Sequence, residues 1–249
     1  MSIAEIAAIA AAGLAAGAIN TLVGSGTLIT FPVLLAFGYA PVTANVSNTI
    51  GLVPGSVSGA IGYRRDLAGQ RGRILRLGSM SVAGGITGAV LLLVLPSSAF
   101  KAIVPVFIAI ALVLTVLQPR LARWLLKREI ELEHRAAVLL AIYATGVYGG
   151  YFGAAQGILL LAILGLALTQ DLHRTNALKN VLAGLVNGVA GVYFMFAAHV
   201  DWGPAAIIAC TSIVGAQLGA RYGRRLPPDA LRAVIVVVGV FAIVRLLLD

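Results

Sequence analysis

The chain has 249 residues, 60% of them hydrophobic and only 11% charged, with 29 glycines and a mean hydropathy of +0.99. Soluble domains carry about 25% charged residues, so this composition excludes that class and defines a protein of the lipid bilayer. The net charge of +9 would suggest nucleic acid as a partner for a soluble chain, but in a membrane protein the basic residues set topology, and no nucleic-acid partner is expected.

Residues 6–63, 77–100 and 136–170 contain no charged residue. A crossing needs about 20 apolar residues, so the first and third stretches are too long for one span and each must fold back or break inside the membrane. The opening stretch, Met1 to Asn20, holds Glu5 and no basic region, so it is expected to be the first span rather than a cleaved secretory signal. After Gly24-Ser25-Gly26 a short apolar segment begins at Thr27 and is followed by the Asn45-Val-Ser-Asn48 run. Residues 77–95 and 101–118 form a pair of crossings. The stretch from Leu121 to Arg135 mixes apolar and charged residues at helical spacing around Trp124. It is expected to be an interfacial helix within a linker over 119–135, joining a first repeat (1–118) to a second (136–249).

In the second half, 136–153 crosses and 157–169 returns. A helix of roughly 12 residues is about 18 Å long, too short to span alone, so buried non-helical chain must complete it, as in a transporter's broken helix. Segments at 176–197, 204–220 and 229–247 follow.

Of 18 Lys and Arg residues, 16 fall in four clusters: five from Arg64 to Arg76, five from Arg120 to Arg135, Arg174 with Lys179, and four from Arg221 to Arg232. With all four facing the cytoplasm of a plasma (inner) membrane protein, both termini lie outside.

The halves echo one another. Gly13 and Gly17 match Gly146 and Gly150, and Gly24 to Gly26 match Gly153 to Gly157. Asn45 and Asn176 each stand nineteen residues beyond Gly26 and Gly157, and Gly59 and Gly191 each stand eleven beyond Asn48 and Asn180. With five segments per half, the second enters from the opposite side. The expected fold is an all-α polytopic membrane protein of two inverted-topology repeats, with short broken helices at its centre.

This pattern points to an anion site. A desolvated anion needs fixed donors, and unpaired backbone N–H groups at helix N-termini supply them where glycine lets the backbone approach. The segments starting at Thr27 and Ile158 would present such ends. Candidate substrate-binding residues are Asn20, Gly24, Ser25, Gly26, Thr27, Asn45, Asn48, Gln156, Gly157, Asn176, Lys179 and Asn180. Each also has a structural reading as turn, cap or interhelical hydrogen bonder. Lys179 either holds the anion or snorkels from a helix end to the membrane surface, the second being slightly favoured. Pro32 and Pro54 are sites for helix kinks.

Glu5 stands near one end of the first span and the other acids lie in loops or at the terminus, which disfavours a carboxylate proton relay. The lone Cys210 and the loop residues His134, His173 and His199 suggest neither redox chemistry nor a metal site, and no cofactor is expected. An anion channel, an intramembrane enzyme and a non-transporting membrane partner are the competing readings. A channel would need a charged ring or polar stripe, and an enzyme a nucleophile with its base. The Gly-x-x-x-Gly stripes, among them Gly51 to Gly59 and Gly215 to Gly223, are explained by packing within the chain, and a homodimer is one assembly they permit.

The segments NTLVGSGTLITFPVLLAFGYAPVTANVSNTIGLVPGSVSG and GGYFGAAQGILLLAILGLALTQDLHRTNALKNVLAGLVNGVAG, with their ordered glycine cluster, short helix and Asn-rich helix start, resemble the TauE/SafE family. The resemblance runs over essentially the whole chain. It implies export or uptake of sulfite, organosulfonates or related small sulfur anions, with no enzymatic step.

Overall fold

The computed structural model describes residues 1–125, 136–222 and 228–248. These form ten helices: α1 (Ile3–Leu22), α2 (Thr27–Ala36), α3 (Pro41–Gly62), α4 (Arg71–Val94), α5 (Ser97–Leu125), α6 (Ala136–Tyr151), α7 (Gln156–Ala167), α8 (Leu172–Ala197), α9 (Trp202–Tyr222) and α10 (Pro228–Leu248). There is no strand among the described residues.

Among the described residues five helices are long and apolar enough to cross a membrane: α1, α4, α5 over Ser97–Gln118, α8 and α9. α3 has 22 residues but falls short on apolarity, because Asn45, Ser47, Asn48 and Thr49 sit in one run that is wholly buried. α2, α6 and α7 are the shorter apolar pieces. α5 continues past the expected end of its span to Leu125, taking in the first residues of the stretch read as an interfacial helix; residues 126–135 of that stretch, with His134, lie outside the described residues. α7 starts at Gln156, two residues before the expected Ile158. The left-handed residues Gly153 (φ 75°) and Ala155 (φ 60°) complete the turn first, and helical geometry begins immediately after them.

α1 with α2, and α6 with α7, form antiparallel helical hairpins. In the first, Tyr39 beyond the end of α2 donates to Glu5 at the start of α1. In the second, Val138 near the start of α6 shares a core cluster with Leu164 and Leu168 at the end of α7. Both first helices end in the same way. Gly24 (φ 86°) returns its N–H to the Ile19 carbonyl at 3.0 Å, and Gly153 returns its own to the Tyr148 carbonyl at 3.0 Å, so a left-handed glycine satisfies a carbonyl that the helix end would leave bare.

Packing runs mainly between the halves. α1 lies along α9, α3 lies along α8 and α9, and α4 lies along α6 and α8. In a bilayer, apolar side chains gain nothing by leaving lipid, so close backbone approach through small residues drives helix association. Gly215 and Gly219 of α9 accordingly meet the Leu14 and Ala18 carbonyls of α1. Gly84 and Gly88 of α4 meet the Tyr143 and Val147 carbonyls of α6, and an added Cβ would sit 2.7 Å or less from each of these four oxygens.

Two sets of connections mark opposite ends of the bundle. At one end Arg174 Nη2 donates to the Ala68 carbonyl at 2.9 Å, Gln70 Nε2 donates to the Arg174 carbonyl at 3.2 Å, and Arg73 Nη1 donates to Gln170 Oε1 at 2.8 Å. Two of the basic clusters therefore share a face. At the other end Tyr39 meets Glu5, and the Asp201 N–H donates to Ser47 Oγ at 2.9 Å.

Candidate functional site

The two hairpins meet at their glycines. The Gly157 N–H donates to the Gly24 carbonyl at 3.2 Å, and a Cβ on Gly24 would stand 2.3 Å from Gly157 Cα. The start of α7 is thus pinned to the turn that precedes α2. Gly26, the residue preceding α2, and Ala155, preceding α7, offer no side-chain cap. One amide expected to face an anion, that of Gly157, is instead engaged by the opposite hairpin.

The asparagines on the long helices hold the ends of the hairpins, and they do so across the halves. A helix leaves its last four carbonyls without intrahelical partners. At the end of α1, Thr21 O accepts from Asn176 Nδ2 (3.2 Å), Asn180 Nδ2 (3.2 Å) and Lys179 Nζ (3.3 Å), while Asn20 O accepts from Lys179 Nζ at 3.1 Å. At the end of α6, Tyr151 O accepts from Asn45 Nδ2 at 3.0 Å. α8 therefore caps α1, and α3 caps α6. Asn20 takes part through its backbone. Asn48 turns to its own hairpin, donating to Thr27 Oγ1 at 3.4 Å and accepting from the Thr30 hydroxyl.

Lys179 does not reach the membrane surface. Its side chain is 0% exposed and runs past Gly157, where a Cβ would lie 3.1 Å from Lys179 Cδ. This corrects the expectation that it snorkels: the carbonyls at the end of α1, which carries the negative pole of the helix dipole, hold the ammonium inside. No carboxylate pairs with it among the described residues. His173 and His199 are exposed, the former on the first turn of α8 rather than in a loop.

Several polar atoms here are buried and without a hydrogen-bond partner. Ser25 Oγ follows Gly24 in the chain, and Gln156 Nε2, on the residue before Gly157, lies against Gly149 of α6; Asn45 Oδ1 and Asn176 Oδ1 belong to two of the capping amides, and Tyr151 Oη ends a ring packed on Phe100 and Phe107. Native interiors rarely leave such groups unpaired, so a cluster of them marks a place where a ligand or water supplies the partner. Ser25, Gln156 and Tyr151 contribute donors, which suits an oxyanion.

Thr21, Thr30 and Tyr151 belong to this constellation and escaped the sequence reading. Thr21 acts through a carbonyl, which leaves no trace in side-chain chemistry. Tyr151 did carry a signal, since it stands six residues before Gly157 as Asn20 stands six before Gly26.

A multi-pass helical bundle in which two short-helix hairpins meet at their glycines, with a buried cation that has no carboxylate partner among the described residues, fits a membrane transporter. Comparison with known proteins agrees: the family model for sulfite exporter TauE/SafE matches residues 9–246, and the chain belongs to that family. The chain is similar to "Probable membrane transporter protein ORF9" of Sinorhizobium sp., with 29% identity covering 94% of this chain and 89% of the relative. It is also similar to "Probable membrane transporter protein YfcA" of Escherichia coli K12, with 25% identity covering 94% and 86%, and to a "Probable membrane transporter protein" of Haemophilus influenzae, with 24% identity covering 95% and 92%. No solved structure matches.

Proposed function

We propose that this protein moves small sulfur-containing anions, such as sulfite or sulfonates, across the plasma membrane, in the direction of export, by alternating access and without a chemical step. The observation that carries the reading is Lys179: a fully buried ammonium with carbonyl partners only, its stem passing Gly157 at the hairpin contact, whose neighbours in the chain Ser25 and Gln156 hold unpartnered donors. A buried charge is costly unless compensated, and an oxyanion arriving at the glycine contact would both neutralise Lys179 and satisfy those donors. The asparagine caps fix the geometry in which this happens. In this reading the two halves are inverted repeats whose hairpins rock about the Gly24–Gly157 contact, and both termini lie outside.

Uptake of labelled sulfite, thiosulfate and a small sulfonate into proteoliposomes tests it, with Asn48→Ala and Asn180→Ala alongside the parent. Saturable flux of one anion, lost in both variants while folding is retained, is the expected result. Flux no higher than in protein-free vesicles for every sulfur anion would defeat the proposal.

A further inference from the structure

A groove of about 360 Å³ lies between α3 and α8, away from the hairpin contact but bounded at one end by Asn180. Its walls are apolar, with Val57 and Ile61 from α3 facing Leu185 and the bare backbone of Gly184 from α8. Val57 and Ile61 are 53% and 52% exposed, so the groove opens sideways from the bundle, where a membrane protein meets hydrocarbon. α3 and α8 run antiparallel, with Ser56 beside Gly184 and Asn187, so Arg64 stands at the same end as Asn180; it is exposed and followed by exposed Arg65, and neither makes an ion pair among the described residues. Arg64 spends one N–H on the Ile61 carbonyl at 3.4 Å and keeps the rest of its guanidinium free.

We propose that this groove binds an anionic phospholipid, one acyl chain lying between α3 and α8 and the headgroup phosphate on Arg64. Charge and shape decide the occupant. An apolar trough open to the bilayer suits an alkyl chain. A guanidinium at its mouth, within the five-residue basic cluster from Arg64 to Arg76, suits a phosphate with net negative charge. Beyond Arg64 and Asn180 the one polar side chain of the lining is Ser56, whose hydroxyl donates to the Leu52 carbonyl, so an inorganic oxyanion would find no free donor along the walls. The chain would start beside Asn180, one of the three side chains that hold the end of α1 through Thr21, and run on past Val57, Gly184 and Leu185, so lipid occupancy touches the transport machinery from outside.

The test is lipid retention, read by native mass spectrometry of the purified full chain incubated with phosphatidylglycerol or phosphatidylcholine. At roughly one basic residue's worth of headgroup attraction, phosphatidylglycerol should be retained about fivefold better. Arg64→Gln, a surface change, should abolish that preference, and Gly184→Leu, whose side chain would fill the groove, should reduce retention of both lipids. Equal retention of the two lipids by the parent overturns the proposal, as does an Arg64→Gln variant that keeps the preference. Displacement of phosphatidylglycerol by propanesulfonate would also overturn it, assigning the groove to a substrate.

Discussion

Gly157→Ala isolates the contact between the two hairpins. Unlike Gly24, Gly157 has ordinary backbone geometry, so an added methyl acts through space alone. That Cβ would stand 2.5 Å from Gly24 Cα, against the 3.4 Å at which ordinary contact begins, so the tips must part by about 0.9 Å. The closest neighbour is backbone and cannot yield as a side-chain end would; Lys179 Cδ, at 3.1 Å, is the one side-chain atom among the three nearest. Parting by this much also breaks the 3.2 Å hydrogen bond from Gly157 to the Gly24 carbonyl. Overpacking costs about 1–3 kcal/mol and a buried unmet amide about 1–3 more, giving a loss of about 2–6 kcal/mol. Thermal unfolding of the detergent-purified protein should show a midpoint lowered by roughly 4–24 °C. Gly188→Ala is the control, since its Cβ would meet nothing within 4 Å. It should be neutral or slightly stabilising, because alanine favours helix. A Gly157→Ala protein that unfolds with the parent would refute the contact.

Three further outcomes follow from the capping network and the outer loop. Asn45→Ala should destabilise by about 1–3 kcal/mol, because Tyr151 O loses the one side-chain donor it has among the described residues, whereas Asn176→Ala should cost less, because Asn180 and Lys179 still hold Thr21 O; denaturant unfolding ranks the pair, and the reverse order would contradict the network. Lys179→Met keeps the length and removes the charge, so folding should hold or improve while anion flux in proteoliposomes falls by about tenfold or more; undiminished flux would show the ammonium is not needed. Burial, reinforced by the hydrogen bond to Glu5, raises the pKa of Tyr39 in the α2–α3 connection. The folded state then keeps a proton that the unfolded chain releases, so stability drains away as pH rises above about 10, and Tyr39→Phe should remove that part of the alkaline loss in a pH series of unfolding midpoints.

The helical membrane fold was plain in the sequence because charge-free stretches and their lengths report directly on burial in lipid. The glycine clusters likewise announced the hairpin turns at Gly24 and Gly153, since a left-handed residue and a close approach both demand the absence of a side chain. What an asparagine binds was beyond reach. Asn45 and Asn176 read alike as amides in apolar segments, yet each finds a carbonyl more than a hundred residues away, and only the packing of α3 and α8 selects which one. Lys179 was misjudged for the same reason: its stem is long enough to reach water, and the carbonyls that retain it belong to α1.

The crosswise capping bears on how the chain is made. Asn176 lies 155 residues after the Thr21 carbonyl it satisfies. At about 5–20 residues per second, a nascent α1 waits roughly 8–30 s in the membrane before its cap is synthesised. Through that interval its end must lean on lipid headgroups, water or the insertion machinery, and the first half is a client awaiting its second rather than a finished module.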